Sequence, residues 1–177
     1  MKKFLLTLSM TALLLFTAGC SCPFSDKTAD SKPQMNTAAA SAAEVAPDFS
    51  YKELGSGKTM RLSDLNGKPV FINFWATWCP PCVGELPHIE KKYAEYKDKM
   101  HFVILSVDDN EQDPARFIQS KGYTFPAAYG DHQELGRAYG IDAIPASYII
   151  SADGHIIARI VGSMNESSLD AFLQKAF

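Results

Sequence analysis

Residues 70–87 read VFINFWATWCPPCVGELP, and the way this stretch folds decides how the rest of the chain is arranged. Val70 to Trp75 is an apolar run with the β-branched and aromatic side chains of a strand. Cys79-Pro80-Pro81-Cys82 follows, and the segment after it reads as helix. Cys79 stands where a helix N-cap would stand, since proline is well tolerated in the first helical turn. That turn leaves N–H groups without intrahelical partners and brings the positive end of the helix dipole to the sulfur, which favours thiolate over thiol. Cys82 lies one turn on, over the same helix end and close enough for a disulfide to Cys79. Two cysteines so placed are set for disulfide chemistry.

Working outward, the helix is expected to run to about Lys97, with Leu86, Ile89 and Tyr93 toward a sheet and Glu90, Lys91, Lys92 and Glu95 outward. Pro87 removes an N–H from its ladder, so a kink is expected there. Upstream, Phe49 to Leu54 and Thr59 to Leu62 flank Gly55-Ser56-Gly57 as a hairpin. Downstream, Phe102 to Val107 reads as a parallel strand buried on both faces. Asp108-Asp109 at its end reads as a solvated loop, with a metal pair as the alternative. Pro114 to Lys121 is a helix closed by Gly122, Phe125 to Tyr129 a strand, and His132 to Tyr139 a helix ended by Gly140. Ala146 to Ile150 and His155 to Val161 form a hairpin around Asp153-Gly154, and a last helix covers Glu166 to Phe177. The order of elements is α/β, with a hairpin at one edge of a central sheet.

Trp78-Cys79-Pro80-Pro81-Cys82, preceded by Asn73-Phe74-Trp75-Ala76-Thr77, resembles the active site of the thioredoxin superfamily. It is most similar to the membrane-tethered TlpA/ResA-like thiol-disulfide oxidoreductases that work outside the cytoplasm. Three further matches carry the resemblance: Pro87, eight residues after Cys79; Glu85, three after Cys82 in the pattern Cys-x-x-Glu-x-Pro; and Ile144-Pro145, similar to the cis-proline dipeptide that faces the active site. It covers roughly residues 47–177. It implies a thioredoxin-like α/β fold: a central mixed sheet flanked by helices, an N-terminal hairpin and a central strand-helix insertion. The 66 residues from Cys79 to Pro145 fit that insertion. It implies catalytic roles for Cys79, Cys82, Glu85 and Pro145, a redox disulfide Cys79–Cys82, and an active-site rim of Trp78, Pro80, Pro81 and Ile144. No cofactor is implied.

The chain has 177 residues, 46% hydrophobic, which suits one globular domain with a sizeable core. Residues 1–19 read as a signal peptide: Lys2-Lys3, then an apolar run from Phe4 to Phe16 that is short of the ~20 residues a membrane span needs. Thr17-Ala18-Gly19-Cys20 resembles a lipoprotein cleavage box, in which Cys20 becomes lipidated; Thr17 stands where leucine is usual. Ordinary cleavage to a soluble product is the alternative. Residues 20–46 are poor in large apolar side chains and read as a tether with an r.m.s. span of roughly 25–30 Å. Cys22 has no assigned role. Without residues 1–19 the chain keeps 15 basic against 20 acidic side chains, an acidic balance that argues against nucleic acid as partner.

Cys79 is the candidate nucleophile toward a partner disulfide, and Cys82 would resolve the mixed disulfide. Asn73 stands where thioredoxin carries a buried Asp, so proton transfer at Cys82 needs another group. Glu85, one turn on beside Leu86, is the candidate, with burial raising its pKa toward neutrality. A zinc half-site lacks a second Cys-x-x-Cys, and Val83 stands where haem attachment needs His, so no metal is assigned. His88, His101, His132 and His155 read as solvated. Partners expected are proteins with disulfides or thiols, a membrane electron donor and the membrane itself through a lipid anchor; the chain is expected to be monomeric. Two other readings remain. A thiol peroxidase would share the Ala46-Pro47-Asp48-Phe49 start, but Ala76 stands where it would carry Thr. A copper carrier would space its cysteines four apart rather than three.

Overall fold

Strand β3 (Val70–Trp75) is buried at all six positions and is paired on both sides. Parallel β4 (His101–Ser106) runs along one edge and antiparallel β6 (Ala146–Ile150) along the other. The computed structural model describes residues 44–65 and 67–177. Among these, seven strands form one mixed sheet in the order β2-β1-β5-β4-β3-β6-β7, with β1 Ser50–Glu53, β2 Thr59–Arg61, β5 Ala127–Tyr129 and β7 Ile156–Val161. Four α-helices flank it: α1 Pro80–Tyr96, α2 Gln112–Lys121, α3 His132–Tyr139 and α4 Glu166–Leu173. The expected thioredoxin-like architecture is present. The hairpin β1–β2 lies at one end of the sheet, and β5 with α2 and α3 fills the long gap before Pro145.

The alternation of side chains along β3 builds two cores. Val70, Ile72 and Phe74 face a layer with Phe49, Leu105, Leu135, Tyr139 and Tyr148. Phe71 and Trp75 face the layer made with Leu86, Ile89, Met100, Leu169 and Phe172, which α1 and α4 cover. Each fully buried Phe or Leu stabilises the fold by about 1.5–3 kcal/mol, so both faces need their cover. Asn73 belongs by parity to the α1 face, and its burial there, at 1% exposure, prepares a polar site inside the core. Trp75 is core, as its sequence context predicts, with Phe117 of α2 at 5.6 Å between ring centroids.

Several local expectations need correction. Lys92 is buried, because its ammonium bridges Glu95 at 2.7 Å and Asp170 at 2.9 Å and so ties α1 to α4. Helix α2 begins at Gln112, two residues before Pro114, where Asn110 Oδ1 accepts the N–H groups of Gln112 and Asp113. The last helix ends at Leu173 and tightens into a 3-10 turn over Gln174–Ala176. Asp108 is not a solvated loop residue; it is 2% exposed. Ordered contacts also reach back before residue 47. Val45 bridges His155, Ile156 N–H donates to Glu44 O at 2.8 Å, and Ala46 N–H donates to Gly154 O at 2.9 Å. The expected signal peptide, the lipidated Cys20, Cys22 and the tether up to residue 43 lie outside the described residues. No helix among the described residues is long and apolar enough to cross a membrane.

Candidate active site

The C-terminal ends of β3 and β4 are joined by one buried carboxylate. Asp108 Oδ2 accepts from Ser106 Oγ at 2.7 Å and from Thr77 N–H at 3.1 Å, while Oδ1 accepts from Thr77 Oγ1 at 2.6 Å. The turn that leaves β3 is thereby fixed just before Trp78. Cys79 N–H then donates to Ala76 O at 3.2 Å, and Cys79 takes an extended conformation, φ −103° and ψ 99°, as the N-cap of α1. Pro80 and Pro81 occupy the first two helical positions and offer no N–H. The next residue does: Cys82 N–H donates to Cys79 Sγ at 3.3 Å.

The two sulfurs are bonded, with Cα atoms 5.3 Å apart. Cys79 is 5% exposed and Cys82 1%, so an incoming group meets Cys79 first. Trp78, 65% exposed, forms one wall of the approach. Ile144 forms another: the Ile144–Pro145 peptide is cis, and the Ile144 carbonyl oxygen lies 3.8 Å from Cys79 Sγ. The disulfide sulfur has no proton to donate, so in this state the contact is close packing; a thiol at Cys79 would find an acceptor there. Beside them Trp78, Val107, Ile141 and Ile144 line a largely apolar groove of about 480 Å³ that His132 and Asp142 border.

Glu85 lies one turn beyond Cys82 on α1 and is 1% exposed. Its Oε1 accepts Met164 N–H at 3.1 Å, and its Oε2 is 3.4 Å from Asn73 Nδ2, which also donates to Ser147 Oγ at 2.9 Å. Burial pushes the Glu85 carboxyl up to about 7, against the two hydrogen bonds, which favour its charged form. Asn73 Oδ1 has no partner among the described residues. The carboxyl therefore changes charge near neutral pH within a helical turn of the buried sulfur.

The structure thus gathers Cys79, Cys82, Glu85, Trp78, Pro80, Pro81, Ile144 and Pro145 at one end of the sheet. Cys20 is not among the described residues. Sequence reasoning missed three members of the surroundings. Asp108 reads from sequence as a solvated loop residue, although two hydroxyl residues, Thr77 and Ser106, at the ends of adjacent strands signal that a carboxylate could bond both. Ser147 and Met164 had no signal, because their relation to Glu85 is purely tertiary. His88, expected to be solvated, is half-buried, with Nδ1 buried and without a partner among the described residues.

A family model described as Redoxin matches residues 40–173. Thiol-disulfide oxidoreductase ResA of Bacillus thuringiensis strain Al Hakam is 36% identical over 131 residues, covering 73% of this chain and 75% of that protein. Among solved structures, a thiol:disulfide interchange protein of the thioredoxin family from Chlorobium tepidum superposes with a TM-score of 0.69 at 29% identity, over 78% of this chain and 99% of that one. The exposed lipoprotein thioredoxin Etrx1 of Streptococcus pneumoniae does so with a TM-score of 0.64 at 25% identity, over 73% and 99%.

Proposed function

The chain belongs to the Redoxin family, among its ResA-like thiol-disulfide oxidoreductases, and on that premise we propose that it reduces disulfides in proteins outside the cytoplasm. One observation carries the reading: a disulfide at the start of α1, with one sulfur at the N-cap next to the exposed Trp78 and the other buried one helical turn before a buried carboxyl. In the reduced enzyme Cys79 is the thiolate, held by the helix start and the Cys82 N–H. It attacks one sulfur of a substrate disulfide; that bond breaks and the other substrate sulfur leaves as a thiolate and takes a proton from solvent. Cys82 gives its proton to the Glu85 carboxylate and attacks Cys79 Sγ. The mixed disulfide breaks, the second substrate thiolate leaves, and the Cys79–Cys82 bond is restored. Two electrons have passed from the enzyme to the substrate.

The groove beside Ile144 suits an extended peptide with an apolar side chain next to its cysteine. Ile144, with Pro145 holding its carbonyl toward the sulfur, is the position at which the substrate backbone is met. The first helical turn supports this direction of flow. Two prolines leave the Cys79 thiolate a single local N–H donor, so the reduced form is not over-stabilised as in a strong oxidant, where each 30 mV corresponds to about 1.4 kcal/mol. A leader at 1–19, a lipid on Cys20 and a tether leading to the domain would hold the enzyme at the outer face of a membrane, with electrons supplied by a membrane protein. The resemblance to an exposed lipoprotein thioredoxin supports that placement.

Cells expressing Cys82→Ser test the substrate class. The Cys79 thiolate then forms mixed disulfides that nothing resolves, and the expected catch is extracytoplasmic proteins with paired cysteines, apocytochromes c among those to look for. Recovery of no mixed disulfide, with the variant folded and Cys79 reduced, would contradict the proposal.

A further inference from the structure

The groove beside the redox disulfide is apolar for most of its lining and has one carboxylate at its rim. Trp78, Val107, Ile141 and Ile144 supply the apolar surface, and its ionisable members are His132 and Asp142. Asp142 is exposed, and no hydrogen bond or salt bridge engages its carboxylate among the described residues. No lysine or arginine lines the groove. Lys52 is held by Glu111 at 2.8 Å, and Arg137 of α3 is not part of the lining. The charges next to the groove have the same sign as Asp142. Burial, and after it Asp131, Glu111, Asp109 and Asp108, push the Tyr129 phenol up, so these carboxylates gather at the end of β5. Asp109 follows the groove residue Val107 closely in the chain, and Asp131 directly precedes His132. The Ile144 carbonyl oxygen is 3.8 Å from Cys79 Sγ, and Asp142 comes just before Ala143 and Ile144, so the Asp142 and Ile144 Cα atoms are at most about 7 Å apart. A lysine or arginine next to the attacked cysteine, or next but one, spans that distance. The apolar walls strengthen such an attraction over its value in open water.

We propose that Asp142 is a specificity-determining residue: it favours substrate disulfides that carry a lysine or arginine close in sequence to the cysteine under attack, and disfavours those with an acid there. The inference deepens the reading of this groove as the place where the substrate peptide is met, and rests on it. An apolar side chain in the groove gives affinity to every substrate alike, and Asp142 sorts substrates by the sign of the neighbouring charge. The carboxylate acts at docking and takes no part in the exchange of sulfur bonds.

The test uses the reduced full chain and a set of short peptides that differ at one position. Each has a leucine beside a single cysteine blocked as its pyridyl disulfide, and lysine, glutamine or glutamate at the next position, on one side of the cysteine or the other. Release of the neutral pyridinethione gives the rate constant of the first exchange, at about pH 8, where an imidazole is ordinarily neutral. The readout is the ratio of lysine to glutamate rates within one enzyme, so any change in the reactivity of Cys79 itself cancels. Wild type is expected to prefer the lysine peptide about fivefold at low ionic strength, the scale of one exposed pair gained and one like-charge contact avoided. High salt should remove most of that preference. Asp142→Asn should bring the ratio close to unity, and Asp142→Lys should invert it. Equal rates for all three peptides in wild type would overturn the assignment and leave the reductase reading standing. So would a wild-type preference retained in Asp142→Asn or in Asp142→Lys. A folded, reduced chain that reacts with every peptide no faster than a free cysteine peptide does would instead contradict the reductase reading itself.

Discussion

The backbone N–H of Met164 lies 3.1 Å from Glu85 Oε1, so a residue 79 positions along the chain supplies the shortest hydrogen bond to the buried carboxyl. The loop that follows the exposed edge strand β7 is thereby coupled to the helix that carries both cysteines. This bond and the longer one from Asn73 favour the charged carboxylate, whereas burial favours the neutral acid, and burial prevails.

A pH dependence of stability follows. The Glu85 pKa lies near 7 in the folded chain and near 4.5 when unfolded. Between those values the folded state holds a proton that the unfolded state has lost, so this group's contribution to stability falls as pH rises through that window. Glu85→Gln removes the dependence. Relative to wild type the variant should gain about 3 kcal/mol between pH 4 and pH 8 in denaturant titrations. A difference that does not change with pH would show that the carboxyl is not perturbed.

Asp108 is predicted to matter through Thr77. Replacing it by Ala leaves the Thr77 N–H, the Thr77 hydroxyl and the Ser106 hydroxyl without their acceptor, and each such loss costs on the order of 1 kcal/mol or more. Asp108→Ala should therefore lose about 2–4 kcal/mol of stability and slow insulin reduction. Asp108→Asn, which keeps an acceptor oxygen, should lose less. Equal stabilities of the two variants would contradict the bracing role.

Trp78 should separate large substrates from small ones. It is 65% exposed beside Cys79 and lines the apolar groove with Ile144. Trp78→Ala is expected to raise KM for insulin about tenfold, the equivalent of ~1.4 kcal/mol, and to leave the rate with oxidised glutathione nearly unchanged. Equal effects on both would assign Trp78 to the reacting sulfur rather than to docking.

Lys92 and Asp170 should show a measurable coupling. Their contact joins α1 to α4, and the lysine is largely buried while the aspartate is partly exposed. A double-mutant cycle on Lys92→Met and Asp170→Asn is expected to give a favourable coupling that high salt reduces only in part. Strict additivity would show that the pair adds nothing to the packing of the two helices.

Much of this molecule was legible in its sequence because the signals were local. The apolar runs Val70–Trp75 and Phe102–Val107 predict the central strands, the prolines after Cys79 predict where α1 begins, and Asp153-Gly154 predicts the last hairpin. What was not legible depends on who meets whom across the chain. Lys92 reads as a surface residue on a helical wheel until α4 brings Asp170 to it. Asp108 reads as a loop carboxylate until β3 and β4 are set side by side. His88 reads as solvated because nothing in its neighbours along the chain announces the pocket formed with Ser163 and Met164. The charge state of Glu85 had a sequence argument only because it followed Cys82 by one turn; its partners Asn73 and Met164 come from elsewhere.

The central claim is that Cys79 is the reactive thiolate and Cys82 its shielded partner, and alkylation of the reduced full chain tests it most directly. At neutral pH, iodoacetamide in limiting amount should label Cys79 well before Cys82, and at a rate clearly above that of a free cysteine peptide, as the helix start and the Cys82 N–H stabilise the thiolate. Labelling of Cys79 no faster than the peptide, or of Cys82 as fast as Cys79, would contradict it.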